Sequence, residues 1–333
     1  MQTFRSEVIP DFFEKKISYK NKSAFIGSCF TENIGKKMEN LRFPVLTNPF
    51  GILYNPVSIA ECISLCLKGL DFFEKDLIFF NDKWLSFKHH GRFSNEDRKE
   101  VLATINMELQ LGKLFLKESN LLFLTFGTSW VYKHKETNQI VANCHKIPSN
   151  EFEHFSLGLS EIVDIYVQLL DELHRFNSGL NVIFTVSPVR HWKDGPVNNQ
   201  KSKSTLILAV HELVKKFDFV SYFPSYELMM DDLRDYRFYS DDFFHPNQMA
   251  IDYIWSKFKE TYIDVKSIEI AEEVNKLNKA LAHRPFYPNS QAYKKFIESN
   301  IALIGYLKSR ISGSGFEKDL QYLIMERKKY FGE

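Results

Sequence analysis

Residues 22–35 read KSAFIGSCFTENIG, and this stretch decides the fold class. A short apolar run, Ala24-Phe25-Ile26, enters a turn of small residues, Gly27-Ser28-Cys29. Thr31-Glu32-Asn33-Ile34 then reads as the start of a helix. A strand without polar alternation is buried on both faces, and a strand that turns straight into a helix is the building unit of a parallel α/β layer. The same grammar recurs at Leu121–Phe126, Val182–Val186 and Phe219–Tyr222, each an apolar run standing before polar or small residues.

Helical periods lie between these runs. Ile162, Ile165, Tyr166, Leu169, Leu170, Leu173 and Phe176 share one helical face. Leu206, Ala209, Val210, Leu213 and Phe217 repeat the pattern, and Tyr253, Ile254 and Phe258 do so within 247–262. The alternation predicts an α/β domain over residues 1–265. Residues 78–93, IFFNDKWLSFKHHGRF, interrupt it as a hairpin or irregular excursion turning at Asn81-Asp82. Beyond residue 265 the segments 266–282, 289–311 and 316–331 read as helices, separated by Pro285, Pro288 and Gly313–Gly315. They predict a helical C-terminal extension, 266–333, packed on the main domain.

Composition excludes several classes. The 333 residues are 44% hydrophobic and 26% charged, enough apolar material for a full core. Thirty-one Phe and fifteen Tyr point to an aromatic core or an aromatic-lined groove. Lys plus Arg is 43 against 42 Asp plus Glu, a net charge of +1, which argues against a nucleic-acid or anionic-membrane footprint. Four cysteines are no disulfide framework, and Cys62 and Cys66, four apart, read as small packing residues of one helix face. Met1 to Pro10 carries no secretory-type apolar run, and no stretch approaches the ~18 apolar residues of a membrane span. The expected setting is cytoplasmic.

In open α/β sheets, ligands bind at the carboxyl ends of the strands, so the turns after the apolar runs carry the candidates. They hold Ser28 and Cys29; Gly127 to Trp130; and Ser187 to His191. Asp241 to Pro246 precedes the last core helix. Asp242 and His245 form D-x-x-H, in which a carboxylate can accept the imidazole N–H, fix its tautomer and leave the other nitrogen free as a base. Asp and His before a proline are also ordinary helix caps, and so is Ser28. Together, however, Ser28, His245 and Asp242 supply a nucleophile, a base and an orienting acid.

Six segments in order then carry a resemblance. GSCF at 27–30, NPFGILYNP at 48–56, FGTSWVY at 126–132, VANCHK at 141–146, SPVRHWKDG at 187–195 and SYELMMDDLRDYRFYSDDFFHPN at 225–247 resemble the GSCFA family, itself similar to the SGNH (GDSL-like) hydrolases. The resemblance covers roughly residues 20–260. It implies a three-layer α/β/α fold with a mainly parallel sheet of about five strands, SGNH-hydrolase or flavodoxin-like. It also implies a nucleophile at Ser28, the pair Asp242 and His245, and oxyanion donors at the Ser28 N–H and at Gly51. The third SGNH motif departs: Gly127 fits, but Ser129 stands where the family's Asn would be and Trp130 where its Asp would be. Ser129 is the shorter replacement donor, and Asn143 a donor returning from elsewhere.

The function this implies is a serine-dependent esterase or acyltransferase for a small O-acyl ester, an acetylated carbohydrate among the candidates, with no cofactor and no metal. The alternative is a weak or inactive module that binds a glycan or acyl ligand. Arg190, His191 and Trp130 are the candidates for substrate contacts. For Arg190 a salt bridge to Asp231, Asp232 or Asp235 is the competing reading. His89 and His90, beside Gly91, read as an exposed turn, with a cap on the site as the other reading. Cys29 is expected to pack inward beneath the sheet. Cys144, His145, Cys29 and His245 match no standard zinc spacing.

Overall fold

The structure, a computed structural model, describes residues 6–311 and 315–332. In chain order the strands are β1 (Lys22–Gly27), β2 (Val45–Thr47), β3 (Ile78–Phe80), β4 (Lys83–Leu85), β5 (Ser119–Phe126), β6 (Trp130–His134), β7 (Gln139–Val141), β8 (Phe152–Ser156), β9 (Asn181–Val186) and β10 (Val220–Tyr222). The helices are α1 (Cys29–Asn40), α2 (Pro56–Lys68), α3 (Arg98–Glu118), α4 (Leu159–Phe176), α5 (Pro196–Lys216), the single turn α6 (Ser225–Glu227), α7 (Gln248–Tyr262), α8 (Val265–Ala282), α9 (Gln291–Arg310) and α10 (Glu317–Phe331).

Five strands form one sheet in the order β10-β9-β5-β1-β2, with every neighbouring pair parallel. The chain moves outward from β1 to β2, then crosses to the other side of β1 to lay down β5. The winding therefore reverses between β1 and β5, and the carboxyl ends of these two strands diverge into a crevice.

Both faces of the sheet are apolar because each strand supplies alternating residues to two helical layers. Ala24 and Ile26, Leu122 and Leu124, and Val182 and Phe184 share one cluster with α2 to α5, through residues such as Ile63, Ile105, Leu170 and Leu206. The opposite face is aromatic. Phe25 stacks on Phe123 at 4.6 Å, and Phe258 of α7 lies 5.1 Å from Phe123. Phe30 of α1 reaches the same layer through Phe223. The result is a three-layer α/β/α arrangement, and many of the phenylalanines are core.

The four apolar runs are β1, β5, β9 and β10. β2 has three residues, too few to show a pattern. The excursion contains the hairpin β3–β4, turning at Asn81 (φ 48°) and Asp82 (φ 60°), the left-handed pair a two-residue hairpin favours. An antiparallel sheet β7-β6-β8, inserted between β5 and α4, was not anticipated.

The chain divides into two compact units. The first holds residues 22–36 and 45–261 together with the segment up to Phe12. The second holds 13–21, 37–44 and 262 onward. Its helices α8, α9 and α10 match the three helical segments read from sequence, whereas 13–21 and 37–44 were not grouped with them. Tyr19 stacks on Phe43 at 4.2 Å and donates to the Leu41 carbonyl, and Arg42 pairs with Asp319 at 2.9 Å. Of the expected break at Gly313–Gly315, residues 312–314 lie outside the described residues. No helix among the described residues is long and apolar enough to cross a membrane.

Candidate functional site

The crevice is built on the turn after β1. Gly27 has φ +142°, and its N–H donates to Asn48 Oδ1 at 2.9 Å. Asn48 also donates from its own N–H to the Phe25 carbonyl at 2.8 Å and from Nδ2 to Glu32 at 2.9 Å, so one side chain ties β1, β2 and α1 together. Ser28 extends the ladder by one bond, its N–H donating to the Thr125 carbonyl at 3.2 Å. Cys29 opens α1. After β5, the N–H groups of Gly127 and Thr128 both donate to the Tyr54 carbonyl, which pins the NPFGILYNP loop over the strand ends.

A cavity of about 450 Å³ opens between these turns. It brings together Ser28, His245, Trp130, Asn143 and His191 from the sequence reading. It is a ligand-sized space at the switch point. Ser28 is buried, with 1% of its surface exposed, and its hydroxyl has no hydrogen-bond partner among the described residues. It therefore makes no bond to His245.

His245 and Asp242 are joined. Nδ1 of the imidazole lies 2.6 Å from Asp242 Oδ2, and Asp242 Oδ1 accepts the N–H groups of Phe244 (2.9 Å) and His245 (3.0 Å). The His245 N–H, the Phe244 N–H and the imidazole hold the carboxyl down at about 2. Phe243, between the two, has φ +61°, a strained conformation for a bulky side chain and the geometric reason both N–H groups face one oxygen.

Other expected positions are placed differently. The Gly51 N–H is engaged by the Asn48 carbonyl at 2.8 Å, because residues 48–51 close a turn. Ser129 is fully buried with its hydroxyl 2.8 Å from Ser156 Oγ, drawn away by the pairing of Trp130 with Ser156. Neither borders the cavity. Asn143 does: its Oδ1 accepts the His145 N–H at 2.8 Å, leaving the amide NH₂ without a partner among the described residues.

Cys29 is not packed beneath the sheet. It lines the same cavity, half-buried, 3.8 Å from the Tyr54 hydroxyl, because successive residues across a strand-to-helix turn both reach the crevice. Burial pushes its thiol pKa up. His89 is buried rather than exposed: it stacks on Phe50 at 4.4 Å and bonds Ser86 Oγ at 2.9 Å, and desolvation lowers its pKa to about 3. Arg190 makes no ion pair with the acidic cluster. Asp231 pairs with Arg234, Asp232 accepts from the Val8 N–H and the Tyr253 hydroxyl, and Asp235 pairs with Arg237.

The front wall was missed. β6 and β8 place Tyr132 opposite His154, whose rings stack at 4.2 Å. Lys193 lies 4.6 Å over the Tyr132 ring, and Asp194 lies 3.6 Å from His154. Alternation at Trp130 and Tyr132 was the available signal.

Lys203 was also missed. It is 1% exposed, and Nζ donates to the Gly127 and Ser187 carbonyls, both at 2.7 Å, so it clasps the ends of β5 and β9 beneath the cavity. Desolvation, then the neighbouring Arg190, pull its pKa to about 7, with Cys29 opposing. The unfolded chain keeps this lysine protonated up to about 10.5. Between these values the unfolded state binds more protons than the folded one, so stability rises with pH from about 7 to about 10.5, and below pH 7 the burial cost is fully present. Denaturant titrations at pH 7, 8, 9 and 10 are expected to show the wild type gaining stability relative to Lys203→Met. Parallel pH dependence in the two proteins would contradict this.

A wound parallel sheet flanked by helices, with a ligand-sized cavity at its switch point, places the molecule among the open three-layer α/β folds. Residues 22–258 match the GSCFA family, and residues 274–324 match the GSCFA domain protein, C-terminal domain. The chain belongs to the GSCFA family. No curated protein matches it.

Proposed function

We propose that the protein is a serine-dependent esterase or acyltransferase acting on a small O-acyl ester. One observation carries the reading: His245, oriented by Asp242 at 2.6 Å, lines the cavity that Ser28 also lines. The likeness of the family to SGNH hydrolases supports it.

In this mechanism Ser28 Oγ attacks the ester carbonyl carbon while its proton passes to His245 Nε2. Asp242 stabilises the imidazolium. The tetrahedral oxyanion collapses, the carbon–oxygen ester bond breaks, and the leaving alkoxide takes the proton from His245. Water or a second hydroxyl then attacks the acyl-enzyme with His245 as base, and Ser28 recovers its proton. With Gly51 and Ser129 turned away, the oxyanion donors are the Asn143 NH₂ and the free N–H groups in the first turn of α1. The aromatic walls Tyr54, Trp130 and Tyr132 suit an acylated sugar ring, which makes an acetylated carbohydrate the first substrate to try.

A second reading, a module that holds a glycan or acyl ligand with little or no turnover, is favoured by one feature. The N–H groups of Ser28 and Gly51 and the Ser129 hydroxyl are all engaged elsewhere. A fluorophosphonate probe separates the readings. Covalent labelling mapped to Ser28 and lost in Ser28→Ala is the expected outcome. A folded protein that resists the probe would favour the binding module, and labelling at Cys29 would move the nucleophile.

A further inference from the structure

In the segment that follows β9, side chains alternate between two spaces. Val189, His191 and Lys193 line the cavity that holds Ser28, whereas Arg190 and Trp192 line a second groove of about 690 Å³ on the other side. Asp242 borders this second groove while His245 borders the first.

The second groove has an uncommon make-up. Its floor is Met229, Met230 and Leu233, delivered by a π-helical turn at Leu228–Asp232. Such turns concentrate at functional sites. Three aromatic rings stand open around it: Tyr236 is 77% exposed, Phe243 59% and Trp192 44%. Solvent-facing apolar rings clustered on one concavity mark a surface that meets a ligand.

Charge narrows the ligand. Of the groove's two arginines, Arg234 is paired with Asp231 at 2.8 Å. The bordering carboxylates are also engaged, Asp235 by Arg237 and Asp242 by His245. Arg190 has no carboxylate partner among the described residues, its Nε is buried without a hydrogen bond, and its guanidinium lies 5.8 Å from the Trp192 ring. A guanidinium with its Nε buried and no counter-ion is an anion site, and its fork fits a carboxylate or phosphate.

We infer that this groove binds an apolar molecule bearing one anionic group, the anion on Arg190 and the apolar body on Met229, Met230, Trp192 and Phe243. Asp242 borders this groove as well as orienting His245, but binding is read here without turnover, so the inference does not rest on the serine chemistry.

Calorimetric titration of the whole protein with decanoate, decyl phosphate and decanol tests the inference. Both anions are expected to bind, with decanol at least about tenfold weaker, the yield of one charge-assisted contact. Arg190→Met should bring the anions down to the decanol level. Arg190→Lys, which keeps the charge and guards against a folding artefact, should retain part of the preference. Phe243→Asp should weaken all three ligands, and Tyr132→Trp, which fills the other cavity, should change none. Equal binding of decanol and decanoate, unchanged binding in Arg190→Met, or loss of binding in Tyr132→Trp would each overturn it. A preference between decanoate and decyl phosphate tells a carboxylate ligand from a phosphate one.

Discussion

Ser28→Ala is expected to lower turnover of p-nitrophenyl acetate by about 10⁴-fold or more, with KM little changed. In the proposed mechanism the hydroxyl forms the covalent bond, so its loss removes the acyl-enzyme route and leaves only what binding and oxyanion donors supply. Alanine fits where serine sits, and the Ser28 hydroxyl has no partner to lose, so folding is not the variable. Cys29→Ala is the matched control. Burial raises the Cys29 thiol pKa, which leaves little thiolate at neutral pH, and its removal is expected to keep most of the activity. Equal turnover in Ser28→Ala and wild type, measured by steady-state kinetics, would remove the serine mechanism.

Gly27→Ala is expected to cost about 3–5 kcal/mol of stability, the range of a backbone clash at a strained conformation. At φ +142° an L-residue is already strained, and a Cβ there would lie 2.3 Å from the Thr125 carbonyl oxygen. That oxygen belongs to the neighbouring strand of the sheet and accepts the Ser28 N–H, so it has nowhere to move without parting β1 from β5 at the switch point. Gly305→Ala is the contrast. It lies in α9 with nothing within 4 Å of the added carbon, and the gain in helix propensity should stabilise the protein by about 0.5–1 kcal/mol. Chemical denaturation reads both. A Gly27→Ala protein of wild-type stability would show that the strand ends at the crevice are looser than the structure has them.

What the sequence disclosed follows from how local each signal is. β1, β5 and β9 were legible because strands buried on both faces are dense in Phe, Ile, Leu and Val. The three residues of β2 borrow their order from β1 and show no pattern of their own. The Asp242–His245 pair was legible because it is made within one loop at a spacing of three. Oxyanion donors were not, since whether the N–H of Gly51 or Ser28 is free depends on which carbonyl the fold brings to it. Ser129 looked available until the pairing of β6 with β8 turned it away. Lys203 reads in KSKS like any lysine on a solvated helix face, and only the carbonyls of Gly127 and Ser187, brought from two strands, reveal it as interior. The alternation of Val189 to Lys193 was readable in principle, but its meaning needs a space on both sides.

The loop that presents His245 has one more consequence. Residues 239–246 close on themselves: Tyr239 bridges Pro246, the Ser240 N–H donates to the His245 carbonyl, and the Phe243 N–H donates to the Ser240 carbonyl. Asp242 and His245 therefore ride on a single closed loop. The direction in which the imidazole points is set in the frame of that loop, whereas its reach toward Ser28 is set in the frame of the sheet. A displacement of the loop changes that reach and leaves the Asp242–His245 pairing, made within the loop, intact. In the proposed mechanism such gating would appear as a kcat that changes while KM stays where it was.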